Sequence, residues 1–391
     1  MRAPDVALIA PYPPRGALHG GWTGVASYTA NLAGALADAG ARVTVVASAS
    51  EAGEPAVWRS SEGVEVRRVW RRGATALPAA ATAARATGAP VVHLQHELFL
   101  YGGPTAASGV LPALATLRAR GPRTIVTLHH VVDPGAVDAS FTATHGVPVP
   151  APVARAGVSA LQRGIAALAD TVVVHEPEFA GVLHGTAVVV PHGIEVAGAV
   201  DRGAARTALG VAPGRLCALC FGFLAPYKGL EAALGAARLA GDEVSVVVAG
   251  GAHPRATGYA DRLRASAPAG VRFTGYVPDE DVARWFAAAD VVLLPYPRPF
   301  ASSGPLALAL AHGTPVLLSP ALARTTGAPR ALAVGLDPAA IAARLRSLAR
   351  RPAERDGLRS AAERLAAGRT WPDVARRHLD LYGALDEAVA A

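Results

Sequence analysis

Lys228 is the only lysine in a chain of 391 residues whose other permanently charged cations are arginines. It lies in Phe221-Gly222-Phe223-Leu224-Ala225-Pro226-Tyr227-Lys228-Gly229-Leu230, after an apolar run that reads as a strand and at the opening of a helix. A compact ammonium at such a strand end suits a diphosphate; the plainer reading is a solvated lysine at a helix start. A second segment, Pro299-Phe300-Ala301-Ser302-Ser303-Gly304-Pro305-Leu306, precedes a helix expected over 306–312 and the turn Gly313-Thr314-Pro315-Val316. Ser303 is placed to cap that helix, with Pro305 near its first turn. Capping and anion binding share one geometry of outward N–H groups, so Ser302, Ser303 and Gly304 are candidates for a phosphate cradle as well as for a simple cap. A third segment, His19-Gly20-Gly21-Trp22-Thr23-Gly24, leads into a helix expected over 25–37. Gly20, Gly21 and Gly24 would let backbone N–H groups approach an anion, or would form only a flexible turn. Their spacing is not Gly-x-Gly-x-x-Gly, which disfavours a dinucleotide enzyme.

Titratable residues gather at two further strand ends. The fourth expected strand finishes in Gln95-His96-Glu97, ahead of Tyr101-Gly102-Gly103, and the fifth finishes in His129-His130. A lone histidine is more often structural. Several polar, titratable groups on one sheet edge suit the binding of sugar hydroxyls, which makes His129 the leading candidate and His96, Glu97 and His130 secondary ones.

The elements that must carry these residues alternate along the whole chain. Strands are expected over 6–10, 42–47, 64–69, 91–95, 124–128, 171–174 and 187–190, then over 216–221, 243–249, 271–274, 291–294 and 315–318, with Ala/Leu-rich helices between them. Such continuous apolar runs mark parallel strands covered on both faces. In open sheets of this kind, ligands bind beyond the carboxyl ends of the strands, where the candidate residues lie. The length fits two α/β domains rather than one, and Pro191-His192-Gly193-Ile194, with the weakly periodic stretch 195–206, places the hinge. Residues 371–391 read as one amphipathic helix.

Bulk composition narrows the class. With 51% hydrophobic and 17% charged residues the chain can build large cores. It offers no bilayer span, and its first residues read as the approach to a strand rather than a secretion signal; a cytoplasmic protein is expected. The net charge of +7 comes from scattered arginines with no basic stripe interleaved with aromatics, which argues against nucleic acid and leaves anionic substrates or peripheral contact with a lipid surface. Cys217 and Cys220, within one strand, read as buried thiols. No His/Cys ligand spacing is present, and no metal or other cofactor is expected.

Taken in order, the motifs resemble glycosyltransferase family 4, the retaining GT-B enzymes, over nearly the whole chain. The resemblance rests on the glycine loop at 20–24, Thr127-Leu128-His129, Ala169-Asp170, Pro191-His192-Gly193, Pro226-Tyr227-Lys228-Gly229, Gly275-Tyr276-Val277-Pro278-Asp279 and Ala289-Asp290-Val291-Val292-Leu293-Leu294-Pro295. Gln95-His96-Glu97, Tyr227-Lys228-Gly229 and Ser302-Ser303-Gly304 are most similar to a mannosyltransferase-like branch. The resemblance implies an α/β GT-B fold with two Rossmann-like, doubly wound parallel-sheet domains facing a central cleft. Residues 1–193 would form the acceptor-side domain and 194–370 the donor-side domain, with the helix 371–391 either extending the second or crossing back to the first. It also implies a hexosyltransferase moving a hexose-type sugar from a GDP- or UDP-sugar to a glycan, lipid-linked, glycoconjugate or natural-product acceptor, with retention of configuration. Carried over by position, Lys228 would contact the donor diphosphate, His129 would approach the transferred sugar, and residues Ser302, Ser303, Gly304 and the glycines Gly20, Gly21 and Gly24 would border phosphate.

The chain also departs from the family pattern. Two glutamates common in the family fall at Phe300 and Leu308, an arginine that often precedes the lysine falls at Phe223, and no acidic residue occurs between Asp290 and Asp337. The missing glutamates motivate one rival reading, a non-catalytic nucleotide-sugar or glycan-binding GT-B protein; a second rival is a different GT-B chemistry, a nucleotide-sugar epimerase.

Overall fold

A computed structural model describes residues 3–17, 23–49, 54–119, 121–183, 187–254, 256–299 and 301–390. The described residues divide into two compact units, one drawn from Met1–Gly193, Phe300–Ser302 and Trp371–Ala391, the other from Ile194–Pro299 and Ser303–Thr370.

The N-terminal unit is built on strands β1 (Val6–Ile9), β2 (Val43–Ser48), β3 (Val57–Arg59), β4 (Glu65–Trp70), β5 (Val91–His96), β6 (Arg123–Leu128), β7 (Thr171–Val174) and β8 (Ala187–Val189). Among the described residues they form one sheet in the order β3-β4-β2-β1-β5-β6-β7-β8. Apart from β3 the pairings are parallel: Leu8 lies opposite Val45 on one side and His93 on the other. β1, β2 and β5 are buried from end to end, as expected where helices cover both faces. β3 was not expected from the sequence. It is a three-residue edge strand, antiparallel to β4, whose Val57 is 57% exposed, so no apolar run announces it.

The C-terminal unit contains β9 (Leu216–Phe221), β10 (Val244–Ala249), β11 (Arg272–Gly275), β12 (Val291–Leu294) and β13 (Val316–Leu318), all parallel, in the order β11-β10-β9-β12-β13. The sheet reverses direction at β9 and β12, which creates the crevice a doubly wound sheet offers to a ligand. In the N-terminal unit the same reversal falls between β1 and β5.

The stretch 195–206, expected to be an irregular hinge, instead contains the helix Arg202–Ala208, capped by the Asp201 side chain on the Ala204 N–H. Its period was hidden because two arginines occupy the side that meets Asp290. Arg202 and Arg206 both bind the Asp290 carboxylate, at 2.7 and 3.0 Å, and Asp290 also accepts from the Cys217 N–H at 2.8 Å. This one carboxylate, at the foot of β12, thereby ties the helix to the start of β9. Cys217 and Cys220 are free and buried, and burial pushes their thiols up to about 11 and about 12, where they are inert at neutral pH.

The last helix, Trp371–Ala390, packs on the helix Gly24–Asp38 within the N-terminal unit, burying Trp371, Val374, Ala375, His378 and Tyr382. Among the described residues no helix is long and apolar enough to cross a membrane. The packing at Trp371 depends on a missing side chain: a Cβ on Gly193 would lie 2.4 Å from the indole ring. Gly193→Ala is therefore expected to destabilise the N-terminal unit by about 1–3 kcal/mol through overpacking, read as a lower midpoint in chemical denaturation with an unchanged slope. A variant as stable as the parent would contradict this contact.

Candidate functional site

In the C-terminal unit the chain leaves β9 through Gly222 and turns back at Pro226–Lys228, a single tight turn, before the helix Leu230–Ala240. Gly229 makes the reversal possible. It sits at φ +63°, and a Cβ there would fall 2.1 Å from the Pro295 carbonyl oxygen beyond the end of β12. The turn is thus pressed against the neighbouring strand end, and Lys228 is directed inward instead of into solvent.

Lys228 is 7% exposed. Its Nζ donates to the Tyr296 hydroxyl at 2.6 Å and lies 4.4 Å from the centre of the Tyr296 ring and 5.5 Å from that of Tyr227. A cluster of Cys220, Phe221, Gly222, Leu230, Leu293, Leu294 and Pro295 encloses it. Burial in this setting pushes the ammonium down to about 7, only slightly opposed by Cys220. The rings supply weak cation–π attraction and the hydroxyl one hydrogen bond, which together fall short of the water the ammonium gave up.

Ser303 meets the same hydroxyl. It accepts from the Leu306 N–H at 3.2 Å as the cap of the helix Gly304–Ala311, and donates to the Tyr296 oxygen at 3.3 Å. Gly222 keeps the space between open: a Cβ there would lie 3.5 Å from Lys228 Nζ and 3.2 Å from Pro305 Cγ. Lys228 and the start of this helix therefore converge at the carboxyl ends of β9 and β12, around Tyr296. Sequence reasoning did not single out Tyr296; its signal was its place two residues after the β12 run, at the same sheet edge as Lys228. Leu308, at one of the family's glutamate positions, packs against the apolar core, and Phe300 lies outside the described residues.

Ser302 is placed differently from Ser303. It belongs to the N-terminal unit, and its hydroxyl donates to Glu176 Oε1 at 3.2 Å. Glu176 is 2% exposed and follows β7, so the carboxyl ends of β5, β6 and β7 end alike in His96-Glu97, His129-His130 and His175-Glu176. That third pair was missed in the sequence, although the repetition at successive strand ends was a readable signal. His130 Nε2 lies 3.8 Å from Glu97 Oε1. His96 is buried, and burial, aided by His130, pushes its imidazole down to about 4. His129 is held on both sides, Nε2 at 2.8 Å from Gln95 Oε1 and Nδ1 at 3.2 Å from His175 Nε2, and burial keeps its imidazole well below the usual value. Gly24 begins the helix Gly24–Asp38 beside its Thr23 cap, with open space where a Cβ would project. Gly20 and Gly21 lie outside the described residues.

Two family profiles match the chain: "Glycosyl transferase 4-like domain" over residues 23–207 and "Glycosyl transferases group 1" over residues 215–351. No curated protein sequence matches it. Among solved structures, sucrose-phosphate synthase from Thermosynechococcus elongatus is similar, at a TM-score of 0.75 and 22% identity over 99% of this chain and 100% of that one. Anabaena Alr3699/HepE in complex with UDP-glucose gives 0.69 at 15% identity, over 97% and 99%. AviGT4, a glycosyltransferase involved in avilamycin A biosynthesis, gives 0.59 at 20% identity, over 98% of each chain. Two Rossmann-like units of this kind define the GT-B fold. The chain belongs to the GT-B glycosyltransferases, with a glycosyl transferase 4-like domain followed by a group 1 domain, and it is an enzyme of that class.

The depressed Lys228 ammonium has a thermodynamic signature. Below about pH 7 both folded and unfolded chains carry the charge, and the folded chain bears the full cost of burying it. From about 7 up to the ordinary value of 10.5 the unfolded chain binds the extra proton, so this residue's contribution to stability improves as pH rises. Lys228→Met is accordingly expected to gain stability relative to the parent at low pH, on the order of a few kcal/mol at most, with the gain shrinking as pH rises above neutrality. Urea denaturation of both proteins across that range measures it; a difference independent of pH would show that the ammonium is not strained by burial.

Proposed function

We propose that this glycosyltransferase moves a hexose-type sugar from a UDP- or GDP-sugar to a glycan, lipid-linked or small-molecule acceptor with retention of configuration, and needs no metal. The observation that carries the reading is the convergence of Lys228 and the Ser303 cap on the Tyr296 hydroxyl at the switch point of the C-terminal sheet. In such a transfer the bond between the sugar and the diphosphate lengthens, and negative charge grows on the leaving oxygen. A preorganised ammonium with little water around it stabilises that charge more than the ground state, which is the requirement for catalysis. Lys228 meets this need because its present partners are neutral, so an incoming diphosphate supplies the counter-charge that the protein withholds. Gly304 and Ser303 at the helix start add dipole and hydroxyl donors for the same anion. The UDP-glucose complex of the Anabaena relative supports a UDP-sugar; the resemblance of Tyr227-Lys228-Gly229 and Ser302-Ser303-Gly304 to the mannosyltransferase-like branch supports GDP-mannose.

In the N-terminal unit, His96, Glu97 and His130 are assigned to the acceptor or sugar hydroxyls and His129 to the transferred sugar. The third strand end adds Glu176, held by Ser302, as a carboxylate at the same edge.

Lys228→Ala is expected to cut turnover by about 10²-fold or more while leaving a folded protein, the scale of removing one charge-stabilising donor. The assay follows nucleotide release from UDP- and GDP-sugars in excess chelator, in which the parent is expected to keep its full rate. Unchanged turnover in the variant would remove Lys228 from the chemistry, and loss of parental activity in chelator would overturn the metal-free mechanism.

A further inference from the structure

A run of buried polar side chains crosses the N-terminal unit from the Val190 carbonyl to the last helix. His175 Nδ1 lies 3.0 Å from the Val190 oxygen, and its Nε2 lies 3.2 Å from His129 Nδ1. His129 Nε2 is 2.8 Å from one end of the Gln95 amide, and the other end is 3.2 Å from His93 Nε2. His93 Nε2 also lies 2.7 Å from Thr127 Oγ1, and its Nδ1 lies 2.8 Å from the Tyr382 hydroxyl. Every member is at most 8% exposed, so the hydrogen bonds must be supplied from within.

The carbonyl end fixes the polarity of the whole run. A carbonyl only accepts, so His175 carries its proton on Nδ1. Neutral His175 then offers a lone pair at Nε2, and His129 must donate to it from Nδ1. That leaves His129 Nε2 as a lone pair, which needs the NH₂ of Gln95. The Gln95 oxygen then faces His93 Nε2, which must hold a proton, and His93 Nδ1 accepts from the Tyr382 hydroxyl. With the amide oxygen toward His129 and its nitrogen toward His93, the orientation the structure shows, the proton pattern fails. His129 would need its proton on Nε2, and His175 would have to be protonated on both nitrogens to serve His129 and Val190 together. The groups that act electrostatically on His129 are the imidazoles of His93, His130, His175 and His192, and Tyr28 packs edge-on against its ring. A buried positive ring there costs far more than rotating one amide, and burial already holds His129 and His93 well below the usual imidazole value.

We propose that the Val190 carbonyl sets every proton in this chain, that Gln95 turns its amide nitrogen toward His129, and that Gln95, His93 and Tyr382 are positioning residues which lock His129 as its Nδ1–H tautomer. The consequence for turnover rests on the assignment of His129 to the transferred sugar; the tautomers do not. Through Tyr382 the terminal helix becomes part of the lock, since the hydroxyl it brings satisfies the far end of the chain.

The test is ¹⁵N–¹H correlation of the imidazole rings in the full chain near neutral pH, with kinetics alongside. In the parent, His129 and His175 are expected as neutral Nδ1–H tautomers and His93 as the neutral Nε2–H tautomer. Gln95→Glu replaces the donor by a carboxylate that only accepts, so His129 is expected to take a second proton and remain an imidazolium near neutrality. Its kcat is expected to fall about tenfold or more, with little change in KM for the donor. Nε2–H on parental His129, or a doubly protonated His175, would overturn the proposal without needing any variant to fold. The expected tautomers with an unchanged kcat in Gln95→Glu would overturn the positioning role, and with it the place of His129 at the sugar, while Lys228 and the transferase reading would stand.

Discussion

An ammonium has been taken out of water and given only neutral company. Lys228 holds one hydroxyl and two aromatic faces, and its affinity for a proton has fallen to match neutral pH. Placing a cation this way costs stability, because no opposite charge among its close partners compensates burial. The cost is intelligible if the missing charge arrives with the substrate. A lysine already paired with a carboxylate would have to give up that partner before helping a diphosphate leave.

Much of the C-terminal unit serves this one placement. Gly229 at positive φ turns the chain so tightly that only a hydrogen fits against the Pro295 carbonyl, and Gly222 leaves room beside the Nζ. Tyr296 and Ser303 reach the same point from beyond β12, so strand and helix start share one hydroxyl. At the opposite end of the strands Asp290 gathers Arg202, Arg206 and the Cys217 N–H, which fixes the relative height of β9 and β12 and hence of the residues that follow them. The N-terminal unit uses a different economy. Its strand ends carry His96 and His129, whose proton affinity burial and neighbouring imidazoles push down, and the buried hydrogen-bonded run through His129 is anchored at Val190 and at the last helix.

The strands at 216–221 and 291–294 were legible because each is a continuous apolar run buried on both faces, and the switch-point rule then directed attention to Lys228. What stayed hidden has a physical cause in each case. Edge strand β3 exposes its valine and so lacks an apolar signature, while the helix at Arg202–Ala208 is held through arginines on Asp290 and buries only Ala205, too little to show an apolar period. Ser302 and Ser303 are adjacent in sequence yet serve different partners, Glu176 and Tyr296, a divergence that spacing alone does not encode. Tyr296 and Glu176 went unnoticed because a tyrosine after a strand and a glutamate before a proline are ordinary until their partners are known.

Lys228 waits for its counter-anion, and proton exchange on binding reports that directly. Calorimetric titration of UDP and of GDP into the protein at about pH 8, repeated in buffers of different ionisation enthalpy, measures the protons taken up. For the nucleotide that binds, uptake of about one proton is expected, falling toward zero as pH drops well below 7 and absent from Lys228→Met. Binding with no proton uptake at about pH 8, or with the same uptake in the variant, would contradict it.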